Sequence, residues 1–137
     1  MAYCESFDSA DWQTFAGLWA ENARWHVGEP FGTFEGGTAI TAAAREMRKA
    51  SWISCQHQMT GFAIIEKKGH TVRSEVSVTC TGTTADGRLL EIRLLYHDRY
   101  VRSDEGWKIA ERRNEVKGVV PLHYPFPQAP ALCHPGP

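Results

Sequence analysis

No stretch of this 137-residue chain comes near the roughly 18 consecutive apolar residues that a membrane-spanning helix needs. The opening residues, MAYCESFDSADW, lack the basic-then-apolar order of an export signal, so a cytoplasmic location is expected. An excess of one charge is missing too. Fifteen Lys and Arg stand against sixteen Asp and Glu, a net charge of -1 without long runs, so neither nucleic acid nor a membrane surface is an expected partner. The four cysteines, Cys4, Cys55, Cys80 and Cys133, form no CxxC pair, and the six histidines form no HExxH or HxH arrangement. Free thiols and independence of metal and cofactor are therefore expected, leaving open only ligands that folding alone would bring together. Internal repeats and low-complexity blocks are absent as well.

What the chain does have is length for one domain and apolar content for one core. A second independent core within 137 residues would leave both too small to be stable. Hydrophobic residues make up 42% of the chain, and five Trp, four Tyr and six Phe can line a pocket as well as fill one.

Helical spacing comes first along the chain. Ser9 and Asp11 precede Trp12, Phe15, Leu18 and Trp19, the pattern of a capped amphipathic helix, here expected to end near Glu21 and Asn22. Two short strands punctuated by GEPFG and EGG follow, the first containing Trp25 and Val27, and Thr38 can cap a second helix reaching about Lys49. From His57 the period changes to two. HQMTGFAIIE, TVRSEVSVTCTGT, RLLEIRLLYHDRYVR and WKIAERRNEV read as four strands, separated by the turn sequences EKKGH, ADGR and SDEG. Helices first and an antiparallel meander after them predict an α+β domain, with the helices on one face of a twisted sheet. After Val119 the segment PLHYPFPQAPALCHPGP carries six of the seven prolines and cannot continue a central strand. Residues 1–119 are thus expected to form the domain and 120–137 a Pro-rich tail. Leu122, Tyr124, Phe126 and Leu132 are apolar enough for that tail to pack on its own or a neighbouring subunit, the alternative being a disordered terminus.

The succession YCESFDSADW, LWAENARWHV, GTFEGGTAI, CQHQMTG and YHDRYVRSDEGWKIAERR resembles the SnoaL-like branch of the nuclear transport factor 2-like superfamily, over roughly Tyr3 to Val119. Within it the pattern is most similar to the hexachlorocyclohexane dehydrochlorinases, with scytalone dehydratases and bile acid 7-alpha-dehydratases as more distant lyase relatives. The resemblance implies a cone-shaped fold, a curved and mostly antiparallel mixed sheet cupping one apolar pocket, with the helices on its concave side. It further implies Asp8 and His57 as a catalytic dyad, Trp25 as a pocket wall and Arg112 as an aid to charge development. Tyr3 matches a tyrosine of the bile acid enzymes, five positions before the aspartate. A homo-oligomer, trimer or dimer, is expected on the same ground.

The residues themselves leave alternatives. A histidine early in a strand is often structural, but a carboxylate that fixes its tautomer and stabilises its charged form makes it a useful base near neutral pH. Asp8 could instead cap the next helix, a task open to Ser9 as well. Arg112 and Arg113 adjoin on one strand, so one points inward and the other outward. The resemblance favours Arg112, whereas continuing the Trp107 and Ile109 side favours Arg113, and a salt bridge with Asp98 or Glu111 is the plain structural role for either. Trp25, Phe31 and Asp98 are the candidate substrate-binding residues. Glu29 stands where a ketosteroid-isomerase-like enzyme would carry its base. The elements WxIxxR and DW also occur in superfamily members with other activities. The expected function is accordingly a cofactor-independent lyase, a dehydratase or dehydrohalogenase acting on a small, mostly apolar cyclic compound. An isomerase or polyketide cyclase is the alternative, and a non-catalytic binding or assembly module the reading from another class.

Overall fold

A computed structural model describes residues 2–122. Among these residues six strands form one sheet in the order β2-β1-β6-β5-β4-β3, with β1 at Trp19–Gly28, β2 at Gly32–Glu35, β3 at Trp52–Lys68, β4 at Thr71–Thr84, β5 at Leu89–Ser103 and β6 at Gly106–Pro121. Every neighbouring pair is antiparallel except β1 and β6, which run parallel and join the N-terminal hairpin to the meander. Three helices, α1 at Ala2–Asp8, α2 at Trp12–Gly17 and α3 at Gly37–Ser51, pack against this sheet. Their shared core includes Tyr3, Phe7, Phe15, Trp19, Trp25 and Tyr96, whose rings touch in a continuous chain of tilted and edge-on contacts. The α+β, mostly antiparallel curved sheet expected from the sequence is the one found.

Three local boundaries differ from expectation. The helix expected from Ser9 to Asn22 covers only Trp12–Gly17, and Asp11 caps it by accepting from the Thr14 N–H and hydroxyl. Ser9 instead donates its hydroxyl to the Glu5 carbonyl and closes α1. The chain becomes extended at Trp19 because Trp19, Ala23 and Trp25 are needed as inward residues of β1. Gly36, not Thr38, stands at the N-cap of α3; its φ of 82° lies in the left-handed region that glycine enters without steric cost, and no side-chain cap is made. Finally, β3 starts at Trp52 rather than His57, pairing from Trp52 opposite Thr84 onward.

Strand β6 carries a bulge that decides which side chains face inward. Arg99 pairs with Glu111 but Tyr100 pairs with Ile109, so Ala110 is one residue more than β5 can match. Ile109 and Ala110 are both buried, and the alternation restarts one residue late, with Arg112 buried and Arg113 exposed. β6 runs through Pro121, and the Leu122 N–H still bonds the Leu89 carbonyl. The packing expected of Tyr124, Phe126 and Leu132, and the thiol of Cys133, lie outside the described residues.

Candidate active site

Helix α1 ends at Asp8, and its contacts with β3 bring that carboxylate onto the sheet. Asp8 Oδ1 lies 2.6 Å from His57 Nδ1, while Oδ2 accepts the His57 backbone N–H at 2.6 Å. One carboxylate thus holds both the ring and the backbone of the same histidine, which fixes Nδ1 as the protonated nitrogen and leaves Nε2 as the ring atom that Asp8 does not use. Cys55 Sγ donates to Asp8 Oδ1 at 3.5 Å, and Arg48 donates to the Asp8 carbonyl at 3.3 Å and the Trp52 carbonyl at 3.2 Å. Phe7 stands edge-on to the imidazole with ring centres 5.1 Å apart. Burial alone would lower the His57 pKa, but the hydrogen bonds of Asp8 and Cys55 outweigh it and raise it above the ordinary imidazole value.

His57 lines a cavity of about 240 Å³ between the sheet and the helices. Its walls are Phe7, Trp25, Val27 and Trp52 on one part and Ile92, Leu94 and Val116 on another, with the half-exposed Phe31 and Glu29 also lining it. Polar atoms are few. Trp25 Nε1 is held by Asn114 Oδ1 at 3.1 Å, which fixes the indole as a wall. The Tyr3 hydroxyl is pushed up to about 12 by burial, against the lowering effect of the Arg112 charge, so it remains a proton donor throughout the neutral range.

Arg112 lies a layer deeper. Its Cζ sits 4.2 Å from the ring centres of both Tyr3 and Tyr96, two residues that line the cavity. Asp98, directly opposite on β5, accepts from Nε and Nη2 at 2.7 Å each and from the Tyr100 hydroxyl at 2.7 Å. The carboxylate of Asp98 is fully used behind the arginine and is not among the cavity-lining groups, contrary to the position expected of a substrate-binding residue. The ion pair that is the plain structural role of Arg112 is therefore present, and Arg113, exposed on the opposite face, is not part of the site.

The structure brings His57, Tyr3, Trp25 and Phe31 to one cavity, sets Asp8 behind His57 and sets Arg112 and Asp98 beneath the cavity. Sequence reasoning missed Asn114, Tyr96, Trp52 and the two thiols near the imidazole. Cys80 faces His57 across β3 and β4, and Cys55 and Cys80 are both free thiols. The hydrogen-bonding contact with Cys80 draws the Cys55 thiol down to about 6, and the same contact pushes Cys80 up. A signal for Cys55 existed in the spacing Cys-x-His, which puts both side chains on one face of a strand. Nothing local marked Cys80.

Residues 1–113 match the SnoaL-like domain family. Among solved structures, the chain is similar to hexachlorocyclohexane dehydrochlorinase LinA-type3 from Novosphingobium barchaimii LL02, with a TM-score of 0.82 and 22% identity over 92% of this chain and 88% of that one. A type 2 LinA dehydrochlorinase gives 0.82 and 21% over 92% and 87%. A scytalone dehydratase-like protein from Novosphingobium aromaticivorans DSM 12444 gives 0.77 and 18% over 89% and 81%. No curated protein sequence matches. Identities at this level carry the fold alone, but the family match spans most of the chain, and the protein belongs to the SnoaL-like domain family, with the nuclear transport factor 2-like fold.

Proposed function

We propose that the protein is a cofactor-independent lyase that eliminates water or halide from a compact, mostly apolar cyclic substrate. The observation that carries this reading is the pair of 2.6 Å contacts by which Asp8 holds His57 at the wall of an apolar cavity. A cavity of about 240 Å³ is smaller than the ~300–1,000 Å³ common for ligand pockets, which favours a substrate of one or two rings.

In this reaction His57 Nε2 takes a proton from carbon. The freed electron pair forms the double bond, and the group on the adjacent carbon departs with its own bonding pair. Asp8 stabilises the imidazolium while it exists and keeps the ring in its productive tautomer. A departing hydroxide takes up a proton and leaves as water, and Tyr3 is the donor closest in kind to that task. Arg112, stacked under Tyr3 and Tyr96, supplies fixed positive charge where negative charge grows. Trp25 and Phe31 hold the ring by apolar contact, and Asp98 serves by holding Arg112. Exposed apolar side chains at Phe62, Ile64 and Trp107 support assembly into a homo-oligomer, a trimer or a dimer.

The test is a screen of hydroxylated and halogenated cyclic compounds, following loss of water or halide by mass and the new double bond by absorbance. Turnover that survives intact in His57→Ala would end this reading. A second reading has one observation of its own: Glu29 lines the same cavity. A base there would move a proton without expelling a group, as in a ketosteroid-isomerase-like isomerase or a cyclase, and products of unchanged mass that depend on Glu29 would favour it.

A further inference from the structure

Two sulfurs and an imidazole converge at one point of the sheet. Cys55 and His57 leave the same face of β3 because they are two residues apart, and Cys80 is the direct cross-strand partner of His57 on β4. Opposite Cys55 stands Gly82, where a Cβ would come within 2.2 Å of the Ser54 carbonyl oxygen and 2.8 Å of the Cys55 Cα, so the two strands approach closely here. One donor atom from each of Cys55, His57 and Cys80 lies within 4.8 Å of the others. Around a tetrahedral zinc ion, with Zn–S about 2.3 Å and Zn–N about 2.0 Å, neighbouring ligand atoms stand roughly 3.5–4 Å apart. Small side-chain rotations close that difference.

We propose that Cys55, His57 and Cys80 form a three-ligand site for a thiophilic divalent cation, zinc above all, and that its occupancy silences the Asp8–His57 pair. The donor set is soft, two thiols and an imidazole, which selects zinc over magnesium or calcium. Three protein ligands leave a fourth position for water. An entry path exists, since His57 and Cys80 both line the cavity. Outer-sphere support exists as well: a carboxylate bonded to the second nitrogen of a ligating histidine is the usual orienting partner, and Asp8 already occupies that place at Nδ1. Ligation through Nε2 consumes the lone pair that the reaction needs. Ligation through Nδ1 displaces Asp8 from the ring and brings its carboxylate, 3.5 Å from Cys55 Sγ, within reach as a fourth ligand. Either arrangement removes the base. Binding releases the thiol protons to solvent, so affinity rises with pH. The silencing half rests on the lyase reading above; the binding half does not.

The experiment uses the full chain, stripped with chelator and reduced, then titrated with Zn²⁺ in equilibrium dialysis and with Co²⁺ in an absorption spectrometer. The expected result is one ion per chain and a sulfur-to-cobalt charge-transfer band in the near ultraviolet. Cys55→Ser and Cys80→Ser should each weaken binding at least tenfold and diminish that band. A variant with both His26 and His97 changed to Gln, which removes the two surface histidines that sit beside carboxylates, should bind as the parent does. Binding unaffected by Cys80→Ser, a cobalt complex without thiolate bands, or no stoichiometric binding would overturn the site. If zinc binds through both thiols yet elimination continues at full rate, the silencing role fails while the site stands, and His57→Ala alone decides whether His57 is the base. If zinc does not bind yet His57→Ala abolishes turnover, the lyase reading stands and the metal site is lost.

Discussion

Arg112 and Asp98 face one another across β6 and β5 and are joined by two parallel hydrogen bonds of 2.7 Å, with both side chains almost entirely withdrawn from solvent. The Tyr3 and Tyr96 rings close over the guanidinium from two sides and complete its enclosure. Such a pair is expensive to break because the surviving charge cannot reach water. Asp98→Asn should therefore cost about 3–5 kcal/mol in folding free energy, read from urea unfolding midpoints with an unchanged slope. A loss below about 1 kcal/mol would mean that Arg112 finds solvent or another partner.

Turnover should depend on His57 far more than folding does. His57→Ala is expected to lower kcat by roughly 10²–10⁴-fold, the usual worth of a positioned general base. Asp8→Asn keeps the shape but loses the charge that stabilises the imidazolium, and its loss should appear mainly in kcat, with KM little changed. In a binding module the same change would leave affinity for the ligand almost untouched, and affinity would follow the shape of the pocket at Trp25.

Acid should inactivate the metal-free protein earlier than an ordinary imidazole would suggest. Burial pulls the His57 pKa down, but the hydrogen bonds from Asp8 and then Cys55 lift it above 6.5 on balance. The base acts when neutral, so the rate is full above that raised value and falls as pH drops through it. Asp8→Asn leaves burial as the stronger influence, and the acidic limb should then move to lower pH. Profiles of kcat/KM against pH for parent and variant test both statements, and coincident limbs would refute the part assigned to Asp8.

Tyr3→Phe should be milder, about tenfold or less in kcat, the worth of one hydrogen bond that water can partly replace. The ring and its contact with Arg112 survive the change, so stability should hardly alter. Because the hydroxyl is pushed up to about 12, the parent should display no basic limb from Tyr3 below pH 10 or so.

Legibility in the sequence followed the range of the interaction concerned. The period-two runs announced the meander because alternation is a property of consecutive residues, and the turns between them were marked by Gly and Asp. The nearness of Asp8 to His57, 49 positions apart, could be read only through the resemblance to a family. Ser9, Thr38 and His57 suit their boundaries by local preference, and each is displaced by a demand from elsewhere: Asp11 reaches Thr14, Gly36 has the φ that α3 requires, and Trp52 pairs with Thr84. Cys80 meets His57 through strand register, which no local pattern encodes. Asn114 and Tyr96, opposite one another on β6 and β5, escaped for the same reason.

The choice between Arg112 and Arg113 had no solution in residue types, because it turns on one unmatched alanine. Beyond Ala110, the inward set is Arg112, Asn114 and Val116, while Arg113 points away. Were Ala110 instead drawn into the ladder opposite Arg99, the bulge would vanish and the residues from Glu111 up to the next irregularity of β6 would change sides. The wall that now offers the amide of Asn114 would then offer Arg113 and Glu115. Deleting Ala110, by contrast, would keep Ile109 opposite Tyr100 and Glu111 opposite Arg99. The bulge is thus a surplus residue that the strand absorbs without moving its wall, and what this fold accepts as a guest depends on where that surplus is held rather than on how many residues the strand contains.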